Sequence, residues 1–142
     1  MKYFIGLFIV LILSGASPVK KENEISVKNI NDMSTLISKS FKIGNSQMLG
    51  TCLDKVIELH IDADRIDFEK LSSAKAETIM DNFFKKNPPV SFTFVYKGDM
   101  ETDLKYFIAN YRSKNKEYLV YMLFKKRKDS NYVINTLQLK QS

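Results

Sequence analysis

Two residues carry most of the chain's capacity for soft-ligand or nucleophilic chemistry, because there is one cysteine, Cys52, and one histidine, His60. A structural zinc site takes about four ligands of this kind, so one copy of the chain cannot assemble the usual zinc or iron centre. A Cys52 and His60 nucleophilic pair is the remaining arrangement, and the spacing opposes it. Cys52 stands in Met48-Leu49-Gly50-Thr51-Cys52-Leu53, beside apolar neighbours, whereas His60 alternates with Ile57, Leu59 and Ile61 and falls on the polar side of that run. Cys52 therefore reads as a small buried hydrophobe. With no second cysteine, no intramolecular disulfide can form. Neither a cofactor nor a metal is expected.

Asp62, Asp64 and Asp67 are the next candidates. An isomerase-like site would need such an acid as a buried base, yet these three fall at a strand end and in the turn after it, where solvated carboxylates are common. A calcium loop fails on its own pattern: Ile66 takes the third ligand position, no Gly follows at the sixth loop position, and Ser73 stands where the bidentate Glu belongs. The basic run Lys125-Lys126-Arg127-Lys128, with Lys85-Lys86, would attract anions but reads first as a solvated hairpin end. Nucleic-acid binding, which would want exposed aromatics interleaved with the cations and a cytoplasmic address, is not expected of a chain that begins as an exported one does. Tyr96, Tyr106, Tyr111 and Tyr121 each join an apolar ring to one polar tip. Tyr96, Tyr106, Arg112 and Tyr121 are the candidate ligand-binding residues, and no catalytic residue is assigned.

The elements that would position these groups follow from hydrophobic period. Ile30, Met33, Leu36, Ile37 and Phe41 recur at helical spacing, with Gly44-Asn45 as the stop. Ser46 is placed to cap a second, short helix through Leu53. Val56 to Asp62 alternates as a strand with one wet face, and a second short strand is expected through Ile66 and Phe68. Ser73 then caps a third helix with Ala76, Ile79, Met80, Phe83 and Phe84 on one side, stopped by Asn87-Pro88-Pro89. Alternation returns in Val90 to Lys97, Leu104 to Arg112, Glu117 to Lys126 and Tyr132 to Lys140. Gly98-Asp99, Lys114-Asn115 and Lys128-Asp129-Ser130-Asn131 supply turn chemistry between them. Helices first and an antiparallel meander after them make an α+β chain.

Those strands are apolar on both faces. Tyr106 and Ile108 oppose Phe107, Ala109 and Tyr111, and Leu119, Tyr121 and Leu123 oppose Tyr118, Val120, Met122 and Phe124. Helices cover one face. The other is expected to line a pocket for a small apolar ligand or to meet a second copy in a homodimer.

The first residues have the parts of a secretory signal: Lys2, an apolar run from Tyr3 to Leu13, and Ser14-Gly15-Ala16. The run is well short of the roughly 20 residues of a membrane-spanning helix, so residues 1–16 are expected to be a signal peptide cleaved after Ala16. No Cys stands at Ala16 or Ser17 to carry a lipid. Residues 17–28 are polar and read as a flexible lead-in, and residues 29–142 as a single α+β domain. The expected location is secreted or periplasmic, with no integral membrane segment after processing. The full chain of 142 residues carries a formal net charge of +6, a balance compatible with a soluble exported protein.

The segments Ser40-Phe41-Lys42-Ile43-Gly44-Asn45-Ser46, Ala76-Glu77, Phe83-Phe84-Lys85-Lys86-Asn87-Pro88-Pro89, Ser91-Phe92, Tyr118 to Lys126 and Ile134 to Leu139 together resemble an exported bacterial family of domains of unknown function, the DUF4783 type, within the nuclear transport factor 2-like and cystatin-like superfamily. The run Asn87-Pro88-Pro89-Val90-Ser91-Phe92 is the most specific part. At Ile108-Ala109-Asn110 the chain departs from the family pattern, where a Gly is usual. The resemblance implies a cone of three N-terminal helices packed on a strongly curved antiparallel sheet. It implies no activity, because the superfamily holds isomerases, dehydratases, ligand binders and adaptors alike. The leading expectation is a non-catalytic exported domain that binds a small apolar ligand or self-associates through the second sheet face. The alternatives are a cofactor-free isomerase or lyase in the cone pocket and an adaptor subunit of an envelope complex.

Overall fold

A computed structural model describes residues 29–101 and 103–142. The predicted signal peptide, residues 1–16, and lead-in, residues 17–28, lie outside the described residues. Helix α1 spans Ile30–Ile43. Asn29 caps it, its side chain accepting the Asp32 N–H at 2.8 Å, which satisfies one of the free donors of the first turn. Met33, Ile37 and Phe41 turn inward as the period predicts, and Gly44 ends the helix at φ 67, a left-handed conformation that favours glycine.

The short helix α2 is Ser46–Gly50, and here the expected cap is corrected. Asn45, not Ser46, accepts the Met48 N–H, at 2.9 Å. Ser46 is buried and donates to Asp81 Oδ1 at 3.3 Å, tying α2 to the helix Ser73–Lys86. The helix also stops before Leu53, because Leu53 opens strand β1, Leu53–Ile61. A one-residue shift toward the N-terminus applies likewise to α3, Ser73–Lys86, where Ser72 caps through the Lys75 N–H at 3.2 Å. At α2 two adjacent residues are good caps, and the bond of Ser46 to Asp81 leaves Asn45 to serve.

Strand β2 is Ile66–Ser72, β3 Ser91–Glu101, β4 Leu104–Arg112, β5 Glu117–Lys126 and β6 Tyr132–Gln141. They form one six-stranded sheet in the order β2-β1-β6-β5-β4-β3. The pairs along β3 to β6 are antiparallel, as expected of a meander, but β1 lies parallel to β6. The sheet is therefore mixed where a purely antiparallel one was expected. Turn chemistry reports the direction of sequence neighbours only, and β1 meets β6 across most of the domain. Gly98 and Asp99, read as a turn, stay within β3. Gly98 pairs with Tyr106, and a Cβ on it would collide with the Tyr96 hydroxyl folded over it, so the glycine permits a close approach within the strand.

Among the described residues two helices, α1 and α2, precede the sheet, while α3 connects β2 to β3. Their apolar sides meet one sheet face in a single core. Phe41 stacks on Phe92 at 4.6 Å between centroids and meets Phe84 edge-on at 5.5 Å, and Phe83 meets Tyr118 edge-on at 5.0 Å. No helix among the described residues is long and apolar enough to cross a membrane.

Candidate functional site

The helix-facing side of the sheet is filled. Phe107, Ala109, Tyr111, Tyr118, Val120, Met122 and Phe124 are all buried there. Its polar atoms are spent on architecture at the end of α3, where Asn87 Nδ2 donates to the Phe83 carbonyl at 3.2 Å. The Tyr111 hydroxyl donates to the Asn87 carbonyl, and that of Tyr118 to Asn87 Oδ1 at 3.3 Å. Ser113 Oγ closes on the Pro88 carbonyl at 2.8 Å. Burial raises the Tyr111 and Tyr118 hydroxyls above the usual tyrosine range, helped at Tyr111 by Tyr118 and at Tyr118 by Asp64 and Asp62. Among the described residues, no buried side-chain nitrogen or oxygen lacks a hydrogen-bond partner. Cys52 belongs to this core, its thiol pushed up to about 11 by burial despite the lowering contact with Thr51.

The opposite face is ordered differently. Register places Asp67, His60, Gln138, Tyr121, Ile108 and Tyr96 in one row that crosses all six strands from β2 to β3. A second row runs Glu58, Thr136, Leu123, Tyr106, Gly98. One end of the face is acidic and polar. His60 Nδ1 lies 2.5 Å from Asp67 Oδ1, and Nε2 lies 3.5 Å from Glu58 Oε1, above an open depression of about 580 Å³ that Arg65 and Asp62 also line. The two carboxylates address opposite ring nitrogens, so they cannot converge with the imidazole on one cation. Among the described residues, no cluster of three potential metal ligands occurs.

The other end is aromatic and aliphatic. Tyr106 and Tyr121 stack at 6.2 Å between centroids with 22° between their planes. Burial raises the Tyr106 hydroxyl, and Tyr121 adds to this. Of the four predicted ligand-binding residues, the structure brings Tyr106 and Tyr121 into contact and sets Tyr96 in the same row as Tyr121, 51% exposed. Arg112 shares the face but stands exposed at the end of β4, opposite Glu117 and Ser91. The four lie on an open sheet surface. The pairing of His60 with Asp67 was not visible in sequence, since a bulge between Ile57 and Leu59 shifts the β1 and β2 register. The three aspartates first weighed as bases hold the fold instead: Asp62 accepts the Gln141 N–H at 3.1 Å, Asp64 pairs with Lys86 at 2.9 Å, and Asp67 holds His60.

A family model described as a domain of unknown function, DUF4783, matches residues 34–140. The chain belongs to this family. A DUF4783 family protein of Bacteroides uniformis is 24% identical with a TM-score of 0.68, the match covering 76% of this chain and 95% of that one. Another from Bacteroides fragilis is 23% identical with a TM-score of 0.67, covering 75% and 96%. A protein of unknown function from Shewanella baltica with the nuclear transport factor 2-like fold is 9% identical with a TM-score of 0.62, covering 79% and 90%. At these identities the structures establish the fold, which is the α+β nuclear transport factor 2-like and cystatin-like arrangement. No curated protein matches the chain in sequence.

Proposed function

We propose that this DUF4783 domain is a non-catalytic binding module that pairs with a second copy through the outer face of its sheet. The observation that carries this is the cross-strand row itself, Asp67, His60, Gln138, Tyr121, Ile108, Tyr96. A two-fold axis lying between two stacked sheets, along the strands and between β6 and β5, reverses the strand order and maps the row onto itself. Asp67 then faces the partner's Tyr96, Gln138 faces the partner's Tyr121, and in the neighbouring row Glu58 faces the partner's Tyr106. Carboxylate and amide acceptors meet tyrosine donors while Ile108, Leu119 and Leu123 close around them, which is the self-complementarity an isologous contact needs. Within the described residues the tyrosine hydroxyls that donate intramolecular bonds are those of Tyr111 and Tyr118, so the outer hydroxyls have capacity to spare.

In this reading the sheet curls as the superfamily cone, with its helices on the inner side. Residues 1–16 direct export and are removed, and residues 29–142 act outside the cytoplasm. Support for binding over isomerase or lyase chemistry comes from the inner face, where the buried polar residues among those described are Ser34, Ser40, Ser46, Asn87 and Ser113, with no carboxylate to serve as base. Sedimentation equilibrium over a wide concentration range tests the pairing. A concentration-dependent dimer that Tyr121→Glu converts to a folded monomer is the expected result. A monomer at every concentration, or a dimer indifferent to Tyr121→Glu, overturns it.

A further inference from the structure

A second surface, independent of the sheet face, has the make-up of a small-molecule site. Between α1 and β3 lies an open groove of about 510 Å³ whose walls include Lys39, Lys42, Lys97, Ser34, Ser38 and Phe94. That volume falls within the usual range for ligand sites. Three features set the groove apart from the other charged surfaces of the molecule.

The first is charge without compensation. Lys85, Lys86, Lys105 and Arg127 each pair with an aspartate, and the cationic depression near the β5 to β6 turn contains Asp54 and Asp129. The α1 and β3 groove is lined by three lysines and no acid. Among the described residues, none of Lys39, Lys42 and Lys97 has a carboxylate within ion-pair distance.

The second is a positioned ammonium. Lys97 Nζ lies 3.4 Å from Ser34 Oγ, 4.8 Å from the centroid of the Phe94 ring and 5.8 Å from that of Phe107. Ser34 is itself buried and donates to the Asn31 carbonyl at 3.0 Å, leaving its oxygen lone pairs to Lys97. One hydroxyl and two ring faces thus fix a charge that elsewhere on a surface would sample many rotamers. The third is an apolar floor beside the charges, made by the Phe94 ring, the exposed Ile43 side chain at 56%, and the aliphatic stems of the lysines.

The geometry points to a binding site for an amphiphilic anion, a carboxylate or phosphate monoester bearing an alkyl chain or ring. The acid group sits among Lys39, Lys42 and Lys97 with the Ser38 hydroxyl at its edge, and the apolar part lies along Phe94 and Ile43. A simple inorganic anion would use the charges and leave the floor wet. A neutral amphiphile would leave three like charges facing one another.

The test is a titration of the purified, isotope-labelled protein with dodecanoate and dodecyl phosphate below their micelle concentrations, read by amide chemical shifts. Inorganic phosphate and neutral octyl glucoside serve as comparisons. Saturable shifts confined to α1 and β3 around Ser34, Ser38, Phe94 and Lys97, with both anions and with neither comparison, are the expected result. The combined Lys39→Gln, Lys42→Gln and Lys97→Gln variant then loses about ten-fold or more in affinity, since each lost charge removes a modest screened attraction, whereas Lys125→Gln with Lys126→Gln retains it. Lys97→Arg, which keeps the charge, retains most of the binding and controls for a folding defect. No saturable binding, shifts that map elsewhere, equal binding of inorganic phosphate or octyl glucoside, or an unaffected triple variant each overturns the proposal.

Discussion

Strands β4 and β5 present two apolar faces of similar chemistry and opposite fate. Phe107, Tyr111, Tyr118 and Phe124 point toward the helices and are buried, while Tyr106, Ile108, Leu119 and Tyr121 on the alternate positions are only partly buried. The inner tyrosines have their hydroxyls committed to Asn87, whereas the outer pair stack on each other. An aromatic in a strand is thus a core residue on one side and available for recognition on the other, and what separates the two is the helical layer contributed by α1 and α3.

Substitutions read the contrast directly. Phe83→Ala removes a ring that packs between Tyr111 and Tyr118 and is expected to cost about 3–5 kcal/mol, as large-to-small core changes do; urea unfolding measures it. A cost as small as that of an outer residue would break the distinction. The next largest effect is kinetic. Because burial pushes the Cys52 thiol up from 9.0 to about 11, its thiolate fraction near pH 8 falls about 100-fold. Iodoacetamide should therefore label the native protein at least that much more slowly than the protein in urea. Equal rates would show the core open at that point.

Tyr111→Phe leaves the Asn87 carbonyl without its donor, at an expected cost of about 1–3 kcal/mol. It also sharpens the comparison through pH. The folded state holds the Tyr111 and Tyr118 protons above the ordinary value of 10.0, so the unfolded chain ionises first. Their stabilising contribution is full below pH 10.0 and declines as pH rises beyond it. Denaturation midpoints between pH 9 and 11.5 should fall less steeply in Tyr111→Phe; parallel curves would contradict the assignment. Smallest is the outer change Tyr106→Ala, expected to alter monomer stability by about 1 kcal/mol or less while weakening self-association. A loss matching that of Phe83→Ala would make the outer face structural.

Most elements were legible because their signals are local. Leu104–Arg112 and Glu117–Lys126 appear at the predicted bounds, and α1 ends at Gly44, since alternation and the left-handed stop each depend on a few neighbouring residues. The sequence also determined that both faces of these strands would be apolar, that Cys52 would be buried and that His60 would turn toward the wet side. Tertiary structure decided the rest, for reasons that span the chain. The parallel pairing of β1 with β6, the capping of α2 by Asn45 while Ser46 bonds Asp81, and the meeting of His60 with Asp67 across a bulge depend on partners distant in sequence. The uncompensated lysines of the groove come from α1 and β3. Hydrophobic period states which residues share a face, whereas only packing in three dimensions states what that face meets.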